Sequence, residues 1–273
     1  MNGDGREYDL IVVDIDGTLL ADDHAITAEV HDVVALARAS GVRLTLATGR
    51  AYSSAVQVAE ELAVDEPIIS DGGAVIKNSA SGEVLRDLRI EPRLAAAILE
   101  VVEGGDYDIH VFYPDDVLVN RASPAVLLYA ERLRIGMTPT EALVAAVARR
   151  AEGPTMVVLR TTRQLAPRLR ARFEALFGAE VQVTSTAPHF VDFIHHDAGK
   201  DRALAFMCRR LGIPLARVIA IGDGINDLDM IQRAGLGVLV ANAAPELWPH
   251  ADYVTHEPHY RGIAEVIRRY CLK

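Results

Sequence analysis

The 273-residue sequence predicts an α/β fold, a parallel-sheet core with an inserted α+β domain, on three observations. Short, wholly apolar runs alternate with amphipathic helical stretches at both ends of the chain. The middle mixes polar and apolar positions, and Gly/Ser/Pro-containing breaks flank it. The first run is LIVV (10–13), then a helix over 27–39, VRLTLA (42–47), a helix over 51–63 and PIIS (67–70). Uninterrupted apolar runs fit strands covered on both faces, as βαβ units supply in a parallel, Rossmann-like sheet. The rhythm returns with RVIAIG (217–222), a helix over 227–234, GVLV (237–240), YVT (253–255) and a helix over 262–270. Between them EVLRDLRI, DIHVFYPDDVLVN, TMVVLRT, EVQVTST and HFVDFI suit strands buried on one face. KNSASGE (77–83) and STAPH (185–189) suit crossings between domains, so the core is assigned to 1–81 and 190–273 and a cap domain to 82–189.

Composition narrows the function. Half the residues are apolar, enough for a substantial core, and 28 basic against 38 acidic residues give a net charge of −10. No basic surface offers itself to a nucleic acid or an anionic membrane. An anionic ligand would need a local cluster of cations or a metal. Cys208 and Cys271 lie far from any CxxC spacing, and the four-residue apolar run at 10–13 is too short for an export signal or a membrane span, so a cytoplasmic location is expected.

The residues that carry chemistry stand where strands end. DIDGTL (14–19) follows LIVV, and strand alternation puts Asp14 and Asp16 on one side, at the carboxyl edge where open α/β sheets bind ligands. Two crowded carboxylates call for a shared cation or a shared proton. GDGINDLD (222–229) places Asp223 at another strand end and Asp227 at a helix start, where a plain N-cap is the competing role. Hard oxygen ligands from two loops suit Mg²⁺. In ATGR (47–50), Thr48, Gly49 and the following helix N-terminus form an anion site, while Arg50, a cation opposing the helix dipole, needs an anion nearby. Lys200 poses the same conflict at the start of a helix that runs to Leu211 and stops at Gly212.

In their order and separation, DIDGTL, ATGR, the lysine before a helix and GDGINDLDM resemble the four motifs of haloacid dehalogenase-like hydrolases, and most of all the Cof-type subfamily, whose α/β cap lies between the second and third motifs. The resemblance implies a phosphatase acting on a small phosphorylated metabolite such as a sugar phosphate. By it Asp14 is the nucleophile that forms an aspartyl-phosphate, and Asp16 the general acid and then base. Asp14, the backbone carbonyl of Asp16, and Asp223 hold Mg²⁺, with Asp227 supporting. Thr48, Gly49, Lys200 and Asn226 bind the phosphoryl group. A phosphomutase on the same core, or a non-catalytic binding protein, are the alternatives it leaves. Within the cap, His110, Tyr113, Asn120, Arg121 and His189 are candidates for leaving-group contacts.

Overall fold

The computed structural model describes residues 7–21 and 24–272; residues 1–6, on which the expectation of no export signal partly rests, lie outside them. Strand β1 (Leu10–Val13) runs into the DIDG turn, helix α1 (Ala28–Ala39) follows, and β2 (Arg43–Leu46) pairs with β1 in parallel, from Leu10 with Arg43 to Val13 with Leu46. Helix α2 (Tyr52–Glu61) then leads to a small antiparallel sheet of β3 (Ile68–Ser70), β4 (Val75–Lys77) and β5 (Val84–Asp87).

Next comes a unit of α3 (Pro92–Glu100), β6 (Asp108–Tyr113), β7 (Asp116–Val119), α4 (Pro124–Leu133), β8 (Thr138–Pro139), α5 (Leu143–Ala148), β9 (Met156–Arg160), α6 (Ala166–Phe177), β10 (Val181–Thr184) and β11 (Phe190–His195). Its six strands form one sheet in the order β10-β11-β9-β6-β7-β8. The chain then returns through α7 (Lys200–Leu211), β12 (Val218–Gly222), α8 (Leu228–Arg233), β13 (Leu236–Leu239), β14 (Tyr253–Val254) and α9 (His259–Tyr270). These strands complete the parallel sheet β14-β13-β12-β1-β2.

The uniform apolar character of β1 has a direct cause. Ile11 and Val13 pack with residues of α1, α2 and α9 on one face, and Leu10 and Val12 with α7 and α8 on the other, so no position of the strand meets water. The second sheet is also covered twice. Val111, Leu159 and Val191 meet Ile98 of α3, Val147 of α5 and Phe173 of α6. Phe112, Val158 and Phe190, on the opposite face, pack with Val126 of α4 and with Ala51, Ala74 and Ala198 from the core, which seats this unit over the carboxyl edge of the parallel sheet.

The strand pairing moves the expected boundaries at 82 and 189. Strand β5 pairs with β4 beside the core, and β11 pairs with β9 and β10 in the six-stranded sheet. Strand β11 is buried at five of its six positions, and the boundary fell one strand early because STAPH, read as a crossing, precedes it. Among the described residues no helix is long and apolar enough to cross a membrane.

Candidate active site

Asp14 follows β1 directly, and its backbone N–H still donates to Ile221 O of β12 at 3.0 Å, so the sheet itself fixes its place. The chain then turns at Gly17, whose φ of +82° is left-handed and where a Cβ would collide with the Asp223 carboxylate; glycine is required on both counts. Asn242 Nδ2, in the loop after β13, donates to Gly17 O at 2.8 Å and pins the turn. Thr18 Oγ1 donates to Asp223 Oδ1 at 2.6 Å, tying the two aspartate loops together.

Asp14, Asp223 and Asp227 each offer a carboxylate oxygen within 4.8 Å of the others. The buried Lys200 Nζ donates to Asp14 Oδ1 and to Asp227 Oδ1, both at 2.6 Å, and these two carboxylates offset the cost of a cation at a helix start. Asp227 Oδ2 also accepts from the N–H groups of Asp223 and Gly224, at 3.2 and 2.9 Å, so its side chain folds back on its own loop and does not cap α8 as a plain N-cap would. Three carboxylates share one ammonium, which leaves a local excess of two negative charges. Burial, with repulsion from Asp227, pushes Asp223 up to about 6. Burial also drives Asp14 well above the usual carboxylate range, against the pull of Lys200 and with the push of Asp227 and Asp223. A divalent cation bound by hard oxygen donors neutralises that excess, so the residues present fit such an ion.

Asp16 faces the other way. Arg50 Nε and one terminal nitrogen donate to its two oxygens at 2.7 Å each, and His24 Nδ1 lies 2.9 Å from Oδ1. Burial raises the Asp16 carboxyl, but these partners and the charge of Arg132 outweigh it and hold it far below its ordinary value. Arg50 is therefore neither solvated nor free for a ligand: the anion its position demands is Asp16. The Asp16 side chain stands outside the acidic cluster, so a part for this residue in metal binding falls to its backbone.

Thr48 Oγ1 accepts from Arg50 N at 3.0 Å, shaping the loop in front of α2. A Cβ on Gly49 would strike the Thr186 methyl, so the cap touches the core at this loop. One cleft is lined by Asp14, Asp16, Thr48, Gly49, Asp223, Asn226 and Asp227 from the core, with Lys200 buried behind it. All the residues singled out from the motifs thus converge.

The cap candidates fare differently. His189 lines the cleft, whereas Asn120 holds backbone at Ile109 and Tyr107, Arg121 pairs with Asp106 and Asp108, and His110 is fully buried. Tyr129, Arg132 and Leu133 of α4, with Thr186 and Phe190, form the rest of the cap wall and were missed. Helix α4 itself has a readable start, since Ser123 Oγ accepts from Val126 N at 3.2 Å and Pro124 occupies the first turn. STAPH, expected to be a crossing, is the hairpin loop between β10 and β11, and it delivers Thr186, Ala187 and His189 to the cleft.

Comparison with known proteins agrees with this arrangement. Residues 11–267 match the family described as haloacid dehalogenase-like hydrolase. Phosphatase YwpJ of Bacillus subtilis is 27% identical over 282 residues, covering 95% of this chain and 98% of that protein. HMP-PP phosphatase of Cronobacter sakazakii is 27% identical over 248 residues, 89% of each. A haloacid dehalogenase-like hydrolase from Bacteroides thetaiotaomicron superposes with a TM-score of 0.83 at 25% identity, covering 96% of this chain and 99% of that one. With a family match that spans nearly the whole chain and a sheet edge that gathers all four of its motifs, the protein is a member of the haloacid dehalogenase-like hydrolases and an enzyme of their phosphatase kind.

Proposed function

We propose that the protein is a Mg²⁺-dependent phosphatase that hydrolyses a small phosphorylated metabolite through an aspartyl-phosphate on Asp14. The observation that carries the reading is the pairing of Asp14 with Lys200 beside Asp223 and Asp227, roofed by the cap. Asp14, the backbone carbonyl of Asp16, Asp223 and Asp227 would hold the metal, which when bound supplies positive charge to the phosphoryl oxygens.

An Asp14 oxygen attacks phosphorus and the ester P–O bond breaks. Its electron pair goes to the leaving oxygen, which takes a proton from Asp16, protonated in the substrate complex once its pairing with Arg50 has loosened. Asp16 then accepts a proton from water as the water oxygen attacks phosphorus, and phosphate leaves as the bond to Asp14 breaks. Lys200, held between two carboxylates, stands where charge grows on the transferring group, and Thr48, Gly49 and Asn226 supply the remaining polar contacts. The names of the two relatives support phosphate release as the net reaction.

The test is phosphate release from p-nitrophenyl phosphate with and without Mg²⁺. Asp14→Asn is expected to abolish it with the fold intact by circular dichroism, and Asp16→Asn to slow it roughly 10² to 10⁴-fold. Substantial turnover by Asp14→Asn defeats the mechanism.

A further inference from the structure

When the charges of the cleft are paired off, one cation is left over. Lys200 is taken by Asp14 and Asp227, and Arg50 by both oxygens of Asp16. Arg132 has no carboxylate of its own among the described residues. Its ion pair is with Asp16 Oδ1 at 3.4 Å, longer than the ~2.7–2.9 Å of a charge-assisted bond and made to an oxygen that already faces Arg50 and His24.

Helix geometry puts Arg132 where it is. Tyr129, Arg132 and Leu133 stand at i, i+3 and i+4, one face of α4, and all three line the cleft. Because Arg132 reaches Asp16 and not Asp14, it stands on the leaving-group side of the reacting phosphorus. The wall around it is otherwise largely apolar or aromatic: Tyr129, Leu133, Ala187 and Phe190, with ring centroids of Tyr129 and Phe190 5.5 Å apart. This side of the cleft is also electropositive, since His189, depressed first by burial, is depressed further by Arg160, Arg163 and Arg132. In a chain of net charge −10, a guanidinium in such a wall is suited to an incoming oxyanion, which its planar fork grips at two points.

We infer that the leaving group of the substrate carries a second oxyanion, a carboxylate or a phosphate, and that Arg132 binds it in place of its long contact to Asp16. This rests on the phosphoryl-transfer reading of the same cleft. Arg132 is then a specificity residue that sorts phosphate esters by the charge of the group they release.

The experiment compares phosphoglycolate with 2-hydroxyethyl phosphate, esters that differ by a carboxylate in place of a hydroxymethyl group. The expected result is a kcat/KM preference for the carboxylate of roughly tenfold or more, as a charge-assisted hydrogen bond implies. Arg132→Met should bring the ratio to about one, and Arg132→Lys should keep part of it. Loss of the contact to Asp16 affects both esters alike, so the ratio isolates the second anion.

Calorimetric binding of phosphonoacetate and of methylenediphosphonate, each against ethylphosphonate, gives a readout that needs no turnover and tells a carboxylate from a phosphate. A ratio unchanged between wild type and Arg132→Met overturns the inference, and so does equal binding of all three phosphonates. Turnover of p-nitrophenyl phosphate without any such preference defeats the inference alone. Oxyanion-selective binding without turnover of any ester defeats the phosphatase reading and leaves Arg132 its role.

Discussion

Asp16 and Arg50 show how one pairing sets the behaviour of a site. A bidentate guanidinium keeps Asp16 ionised and fixes the plane of its carboxylate, which suits the base that takes a proton from water. Removing it in Arg50→Met takes away the strongest of the partners that lower Asp16, so the Asp16 carboxyl rises. The acidic limb of kcat, below which Asp16 cannot accept a proton from water as the aspartyl-phosphate is hydrolysed, should move upward, and kcat should fall about tenfold or more where that hydrolysis limits turnover. Arg50→Lys should recover little of the loss, because an ammonium cannot match two oxygens in one plane. Steady-state rates between pH 4 and 9 check both. ATGR announced a cation out of place at a helix start, and that much was legible. Which anion satisfied it was not, because Asp16 lies 34 residues away in sequence and only the sheet brings the two together.

At the scale of elements, two strands of the cap carry buried polar side chains on either side of an apolar one. His110 of β6 and Asp192 of β11 both stand opposite Val158 of β9, so the three share one face. Asp192 Oδ2 accepts from Thr186 N at 2.6 Å, while Oδ1 and both ring nitrogens of His110 have no partner among the described residues. Burial pushes Asp192 up to about 7 and His110 down to about 4. The signs follow from which state holds more protons. Asp192 is more readily protonated folded than unfolded, so its penalty sets in as pH rises above about 4 and is complete above about 7. His110 is less readily protonated folded, so its penalty grows as pH falls from about 6.5 toward about 4. Asp192→Asn should therefore raise the melting midpoint at pH 8 by several degrees and much less at pH 4.5, as differential scanning calorimetry would show. A gain that is equal at both pH values excludes the ionised carboxylate as its source.

The elements themselves were unequally legible. Strands β1, β2 and β12 announce themselves because their apolar runs end in turns that carry a motif, and β13 by its apolar run alone. Helix α4 does not. Its Leu127 and Leu128 are exposed while Tyr129, Arg132 and Leu133 face the cleft, so PAVLLYAERL shows no clean apolar stripe. The helix that contributes most to the cap wall was thus the hardest to see.

For the whole molecule, the acid cluster links folding to metal. With three carboxylates against one ammonium, a cation that binds only the native state should stabilise it by about 2.7 kcal/mol at a hundredfold excess over Kd. For a chain of this length that corresponds to a rise of roughly 5 to 10 °C in melting midpoint. Asp223→Asn relieves repulsion and removes a donor, so in chelator it should melt no lower than wild type while its response to Mg²⁺ shrinks. Thermal melts of both proteins in chelator and in saturating Mg²⁺ decide this, and an undiminished response in the mutant removes Asp223 from the metal site.

The central strand of the parallel sheet carries a further consequence, one of time. Strand β1 lies between β2, made soon after it, and β12, whose Val218 pairs with Leu10 from about 200 residues downstream. At roughly 5 to 20 residues per second, a ribosome needs ~10 to 40 s to deliver that partner after β1 emerges. Through that interval LIVV has one open edge and an uncovered face, while the inserted unit, whose strands pair only with one another, can complete itself within its own stretch of synthesis. The nascent chain should then carry a finished cap before it has a core, and the waiting strand is where a chaperone would be expected to bind.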